Sequence, residues 1–302
     1  GIFLMRLSGQ GLMSHTCTTT ISRYFNKSRG KALSTAWLGL STAEFILPVL
    51  ITYLFIIYTW NTIWQYISIL TILILPLVIL NTISSVKLDS REEDINLNNK
   101  RKKIKNWKRI EVLKDFRFYI ILLNTLAMPW IITGVFVYQS FISDSKLWSL
   151  YTIPKAIMFY SITSILTLFI SGFLIDKFTS RKLILLMNIP LFFAMVILYC
   201  TKQEFFAYII LSLIGISNGL SNVLGSSTWA EIYGVKYIGS IKALTTSLMV
   251  FSTAFGTAVF GIMIDNGFTI EIIASISGLY ILASFTLLTI FRKTLEPQKL
   301  VK

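Results

Sequence analysis

Arg6 and Glu44 are the ionisable side chains that lie deepest within otherwise apolar stretches of this chain. Holding a charge inside hydrocarbon costs roughly 2.5–3.5 kcal/mol by insertion scales, so each is a functional candidate. Arg6 stands 17 residues before Arg23, and Glu44 stands 13 residues after Lys31. At 1.5 Å per residue these are depths of about 25 and 20 Å from one basic end, so the two can meet across neighbouring helices. Arg6 could then hold an anionic group, with Glu44 taking up a proton or releasing Arg6. They could equally form a buried ion pair inside one bundle. Gln10 is one helical turn from Arg6 and shares its face. Asn218 and Asn222, one turn apart beside Gly215 and Gly219, could line the same cavity from the other side or bond between close-packed helices. His15 is half a turn away from Arg6 and reads as a helix-packing hydrogen bonder. Pro129-Trp130 marks a broken or kinked helix, with Trp130 as a packing residue.

A second group lies at the end of an apolar run. Asp176 is followed by Lys177, Arg181 and Lys182. A carboxylate there can cap a helix N-terminus elsewhere in the molecule, and Glu231 could join Arg181 in the same network. The alternative is a solvated turn that only sets topology. Cys17 and Cys200 lie within apolar runs and read as buried free thiols, with no metal site and no disulfide framework.

These groups must be positioned by membrane helices. The chain is 54% hydrophobic and only 14% charged, with a mean hydropathy of +0.70; about 25% charged residues would be usual for a soluble domain. Long uncharged runs, such as Phe45–Val86 and Phe205–Ala230, read as membrane-spanning helices. Nine spans are expected, at about residues 1–22, 32–57, 62–84, 117–140, 153–175, 183–201, 205–229, 241–264 and 270–291. The net charge of +14 sits in alternate connections, which places those connections and Lys302 in the cytoplasm. The longest polar run, Lys87–Arg117, reads as a solvated basic loop between two apolar blocks. A nucleic-acid-binding reading of so basic a segment yields to the positive-inside one, and no nucleic-acid partner is expected.

A sparse internal repeat sets Gly11-Leu12 and Arg23-Tyr24-Phe25 against Gly219-Leu220 and Glu231-Ile232-Tyr233, 208 residues apart. Parallel repeats of this kind relate two halves of a transporter. The chain starts inside what reads as a helix. The offset leaves room for three further spans, so this is expected to be a fragment of a six-plus-six arrangement.

Three stretches carry a resemblance to the major facilitator superfamily, spans four to twelve, over essentially the whole chain. Gly172-Phe173-Leu174-Ile175-Asp176-Lys177-Phe178-Thr179-Ser180-Arg181-Lys182 resembles the superfamily's G-x-L-x-D-[RK]-x-G-[RK]-[RK] turn in its second-half copy. Thr179 replaces the glycine and Ser180 one base. Arg6-Leu7-Ser8-Gly9-Gln10-Gly11 resembles the fourth-span R-x-x-x-G motif, with glycines out of the drug-antiporter register. The stretch from Arg23 to Ala32 resembles the turn between spans four and five. The glycine-proline motif of drug/proton antiporters is missing from Trp37–Pro48.

The resemblance implies an all-α polytopic membrane protein, a helical bundle with nine of an expected twelve transmembrane helices. Its parts would be 1–84, the rest of a first six-helix bundle; 85–116, a basic cytoplasmic linker; 117–293, a second six-helix bundle; and 294–302, a cytoplasmic tail. It implies a monomeric secondary transporter in a bacterial plasma membrane, using ion or proton coupling to take up a small organic anion such as a carboxylate. The alternatives are export of amphipathic compounds, or a receptor or scaffold on the same fold. Arg6, Gln10, Asn218 and Asn222 would form the substrate cavity and Glu44 the coupling site. Gly172, Asp176, Lys177, Arg181 and Glu231 would form a cytoplasmic gate whose partner lies near Gly30–Ala32. An ATP-driven pump is disfavoured because no G-x-x-x-x-G-K-[ST] occurs. An enzyme is not expected, since one His, two separated Cys and one deep acid make a poor catalytic constellation. No cofactor is expected.

Overall fold

The computed structural model describes residues 4, 6–25, 28–84, 105–149 and 151–297. A π-helical segment, Arg6–Met13, runs into α1 (Ser14–Tyr24). Then come α2 (Arg29–Ile57), α3 (Trp60–Ser84), the short α4 (Arg109–Leu113), α5 (Phe116–Val137), α6 (Gln139–Lys146), α7 (Thr152–Phe178) and α8 (Ser180–Leu183). The chain continues through α9 (Ile189–Cys200), α10 (Phe205–Tyr233), α11 (Ile238–Asp265) and α12 (Ile270–Ile290). Among the described residues every regular element is helical.

Seven helical segments are long and apolar enough to cross a membrane: Trp60–Asn81, Phe116–Val137, Thr152–Phe178, Ser180–Cys200, Phe205–Tyr233, Ile238–Asp265 and Ile270–Ile290. The expected count of nine is not confirmed. The expected span 1–22 falls on the π-helical segment and the Ser/Thr-rich α1, and the expected span 32–57 falls on α2. Residues 1–3 and 5, and the side chains of residues 48, 49 and 52, lie outside the described residues.

Helices α5 to α12 build almost all of two apolar cores. One centres on Phe118, Ile175, Ile184, Trp229 and Tyr233, the other on Met128, Ile142, Tyr160, Ile214 and Ile273. Helix α10 lies along α7 and α9, α5 along α11, and α9 along α12. The earlier segment docks on these through α2 against α7 and α1 against α11, while α3 stays almost wholly exposed.

Of the expected basic loop, residues 85–104 lie outside the described residues. The part from 105 onward is not a free solvated loop. Trp107 is buried, its backbone N–H donates to Tyr233 O at 3.0 Å, and its ring meets that of Tyr233 edge-on. Arg117 is buried as well, paired with Asp115 at 2.7 Å and donating to Glu296 O at 2.9 Å. An aromatic ring and a carboxylate at the mouth of the bundle give the polar chain something to pack on. Cys17 and Cys200 are free but exposed rather than buried, because their helices turn those faces outward.

Candidate functional site

Helices α2 and α7 touch backbone to backbone because both carry glycine at the crossing. A Cβ on Gly30 would stand 2.5 Å from the carbonyl oxygen of Gly172, and one on Gly172 would stand 2.3 Å from Ser34 Oγ. That approach brings Asp176, near the end of α7, over the start of α2. Its Oδ1 accepts from Gly30 N–H at 2.9 Å and its Oδ2 from Lys31 N–H at 3.3 Å. The first N–H groups of a helix have no partner within it and carry partial positive charge, so a carboxylate there is doubly favoured. Arg29, partly buried beside them, is within electrostatic reach of Glu231 and Asp176.

Glu231 makes the neighbouring set of contacts. It accepts from Ser180 N–H at 2.9 Å, from Ser180 Oγ, and from Arg181 Nε at 2.6 Å. Lys177 stands apart from both networks, exposed, with its ammonium 5.3 Å from the ring centre of Phe178. Thr179, where the resembling motif has glycine, has φ of +75°. A β-branched residue is strained there and glycine is not.

Beyond these contacts lies a cavity of about 550 Å³, lined from the π-helical segment, α1, α2, α5, α10 and α11. Glu44, Asn218 and Asn222 all line it, with Gly9, His15, Trp37, Pro129 and Lys242. Asn218 donates to Ser164 Oγ at 3.2 Å. Three buried polar atoms on the lining residues have no hydrogen-bond partner among the described residues: His15 Nδ1, Trp37 Nε1 and Glu44 Oε2. Buried polar atoms are nearly always paired in folded proteins, so these three are the unsatisfied groups in the walls of the cavity. The side chains of Arg6 and Gln10 lie outside the described residues. Their spacing argument assumed α geometry, whereas this segment is π-helical, with i→i+5 bonds. Trp130 does pack, edge-on against Phe255, Phe260 and Tyr280.

Lys242 is a site residue that the sequence did not single out. Helix α11 starts at Ile238, which puts Lys242 a turn inside the helix and 3% exposed. Its Nζ donates to Thr18 O at 2.7 Å and Ser22 Oγ at 2.8 Å, both on α1. The isolation of this one cation within Ile238–Asp265, a span without other bases, was the available signal. His15, read as a packing residue, and Trp37, not singled out, also face the cavity.

At the opposite end a groove of about 480 Å³ separates α2 from α7, lined by Glu44, Tyr53 and Ile56 on one side and Tyr151, Pro154 and Lys155 on the other. Glu44 thus borders both spaces.

A family model described as Major Facilitator Superfamily matches residues 1–257 of the chain. No curated protein matches it.

Proposed function

The chain belongs to the major facilitator superfamily, and from that premise we propose that this integral membrane protein is a secondary active transporter. It works by alternating access and couples uptake of a small organic anion, such as a carboxylate, to a proton. The observation that carries this reading is the cavity. It holds an unpartnered buried carboxylate oxygen on Glu44 and a buried ammonium on Lys242. The chain segments before and after residues 85–104 meet at its basic end through Asp176–Gly30 and Lys242–Thr18, while a groove parts α2 from α7 at the other end.

In this reading Arg6, Gln10, Asn218 and Asn222 contact substrate and Glu44 carries the coupling proton. Gly172, Asp176, Arg181 and Glu231 form the gate with Gly30, and Lys177 contributes charge at its rim. Helix α2, 29 residues long and so about 44 Å, and the run Arg6–Tyr24 would be the two remaining spans, for nine in all. Residues 1–84 and 117–293 would be the two moving halves, joined by 85–116. The basic end faces the cytoplasm, with the tail 294–302, in a bacterial plasma membrane, and the unit is a monomer.

The test is accumulation of labelled succinate in proteoliposomes under an inward proton gradient. Uptake that collapses with a protonophore and is lost in Arg6→Ala and Glu44→Gln supports the reading. The apolar lining from Met128, Ile132, Met249 and Val250 favours one rival, export of amphipathic compounds. Gradient-driven extrusion of tetraphenylphosphonium, with no succinate uptake, would select it.

A further inference from the structure

Lys242 has no charge partner among the contacts so far described. Its side chain is among the buried polar groups of the molecule. Among the described residues no carboxylate stands within ion-pair distance of it. Its two acceptors, a carbonyl and a hydroxyl, are neutral. The titratable groups acting on it are Arg29, Cys17 and His15, so no anion answers it there. An ammonium has three N–H donors, and two are used. An uncompensated buried ammonium is costly, and a lysine so placed gives up its proton unless an opposite charge reaches it, so an arriving carboxylate is what would hold it in the charged form. The cavity borders this lysine, with His15 and Thr18 beside it.

We infer that Lys242 is the substrate's anion receptor at the basic end of the cavity, its third N–H meeting a carboxylate oxygen. This rests on the transporter reading above and deepens it by moving the anion to α11. The two ends of the cavity then differ in charge, Lys242 at the basic end and Glu44 toward the groove. A monocarboxylate needs only the first; a ligand with a second polar group can extend toward Glu44, Asn218 and Asn222 on the lining. The bonds to Thr18 and Ser22 hold the ammonium in place only while α1 and α11 are together. The receptor is therefore assembled in the closed basic end and dispersed when that end opens.

The experiment is thermal unfolding of the full chain in detergent, titrated with succinate and with succinamide, its uncharged analogue. Wild type should be stabilised by succinate and not by succinamide. Lys242→Met should bind succinate at least about tenfold more weakly, the loss expected of one hydrogen bond to a charged group, and Lys242→Arg should recover most of it. If Lys242→Met does not fold, Lys242→Gln keeps a donor for Thr18 O while removing the charge, and the same tenfold loss is expected. A lysine that serves only to tie α1 to α11 would lower the melting temperature without changing the response to succinate, and that result overturns the inference. Loss of succinate binding in Arg6→Ala alone, with Lys242→Met unchanged, also overturns it and leaves anion transport standing. Stabilisation of wild type by tetraphenylphosphonium and not by succinate removes the anion reading itself, and this inference with it.

Discussion

The two ends of the helix bundle are held together differently. At the basic end, contacts run between the segment before residues 85–104 and the segment after it: Asp176 to Gly30, Lys242 to Thr18 and Ser22, Gly172 against Ser34. At the opposite end, the polar contacts found among the described residues lie within the later segment. Lys146, fully buried, pairs with Glu271 at 2.8 Å, Trp148 Nε1–H donates to Lys202 O at 2.7 Å, and Thr152 bonds Glu204. Between the segments at that end lies the groove. Hydrogen bonds that join two rigid bodies must break when the bodies part, and those inside one body need not. On the proposed alternating-access cycle, the difference would separate groups that govern motion from groups that govern stability.

The sharpest way to break the comparison is a covalent tie at the basic end. A Cβ on Gly239 would stand 3.5 Å from Thr19 Cγ2, so the two positions are neighbours across the segments and are the pair to cross-link. In a background with Cys17 and Cys200 replaced by serine, Thr19→Cys with Gly239→Cys should stop succinate flux on oxidation and restore it on reduction. Undiminished flux in the oxidised protein would mean that the segments need not part there.

At the other end Glu271→Gln should act on stability instead. It strands the fully buried Lys146 ammonium, and removing one partner of a buried pair costs about 3 kcal/mol or more; Glu271 is 31% exposed, so about 2 kcal/mol is expected. The check is the melting temperature, with flux per folded molecule near that of wild type. Flux falling as far as stability would erase the distinction between the ends.

Asp176→Asn weakens a cap worth about 1 kcal/mol. It should leave the melting temperature nearly unchanged and cut flux about fivefold through the population of the closed basic end. The smallest effect belongs to the backbone. Thr179→Gly relieves the left-handed residue and should stabilise the protein by about 1 kcal/mol, read as a rise in melting temperature. No rise would mean that the chain around Thr179 has already relaxed.

Helix existence and apolar character were legible because both are local properties. A run such as Phe205–Ala230 announces a buried or membrane helix by length and hydropathy alone. The turn motif likewise marked Gly172 and Asp176 as residues of interest, but their partners Gly30 and Ser34 come from a helix some 140 residues away in sequence, and pairing across that distance is tertiary information. The edges of elements were less legible. One span was expected to begin at 241, whereas the helix begins at Ile238, nearly a turn earlier, which carries Lys242 from the helix end into the packed bundle.

The sequence by itself determined that this is a membrane protein of long apolar helices, with its basic residues in alternate connections and a few polar groups held among the apolar ones. Only the tertiary structure decided which of those polar groups share a space: Glu44, His15, Asn218, Asn222 and Lys242 on one cavity, Lys177 and Trp130 away from it. The physical reason is phase. A soluble helix advertises its inner face as an apolar stripe against a polar one. A helix bounded by lipid on one side and protein on the other is apolar all round, so its sequence carries no stripe to say which way a lysine points.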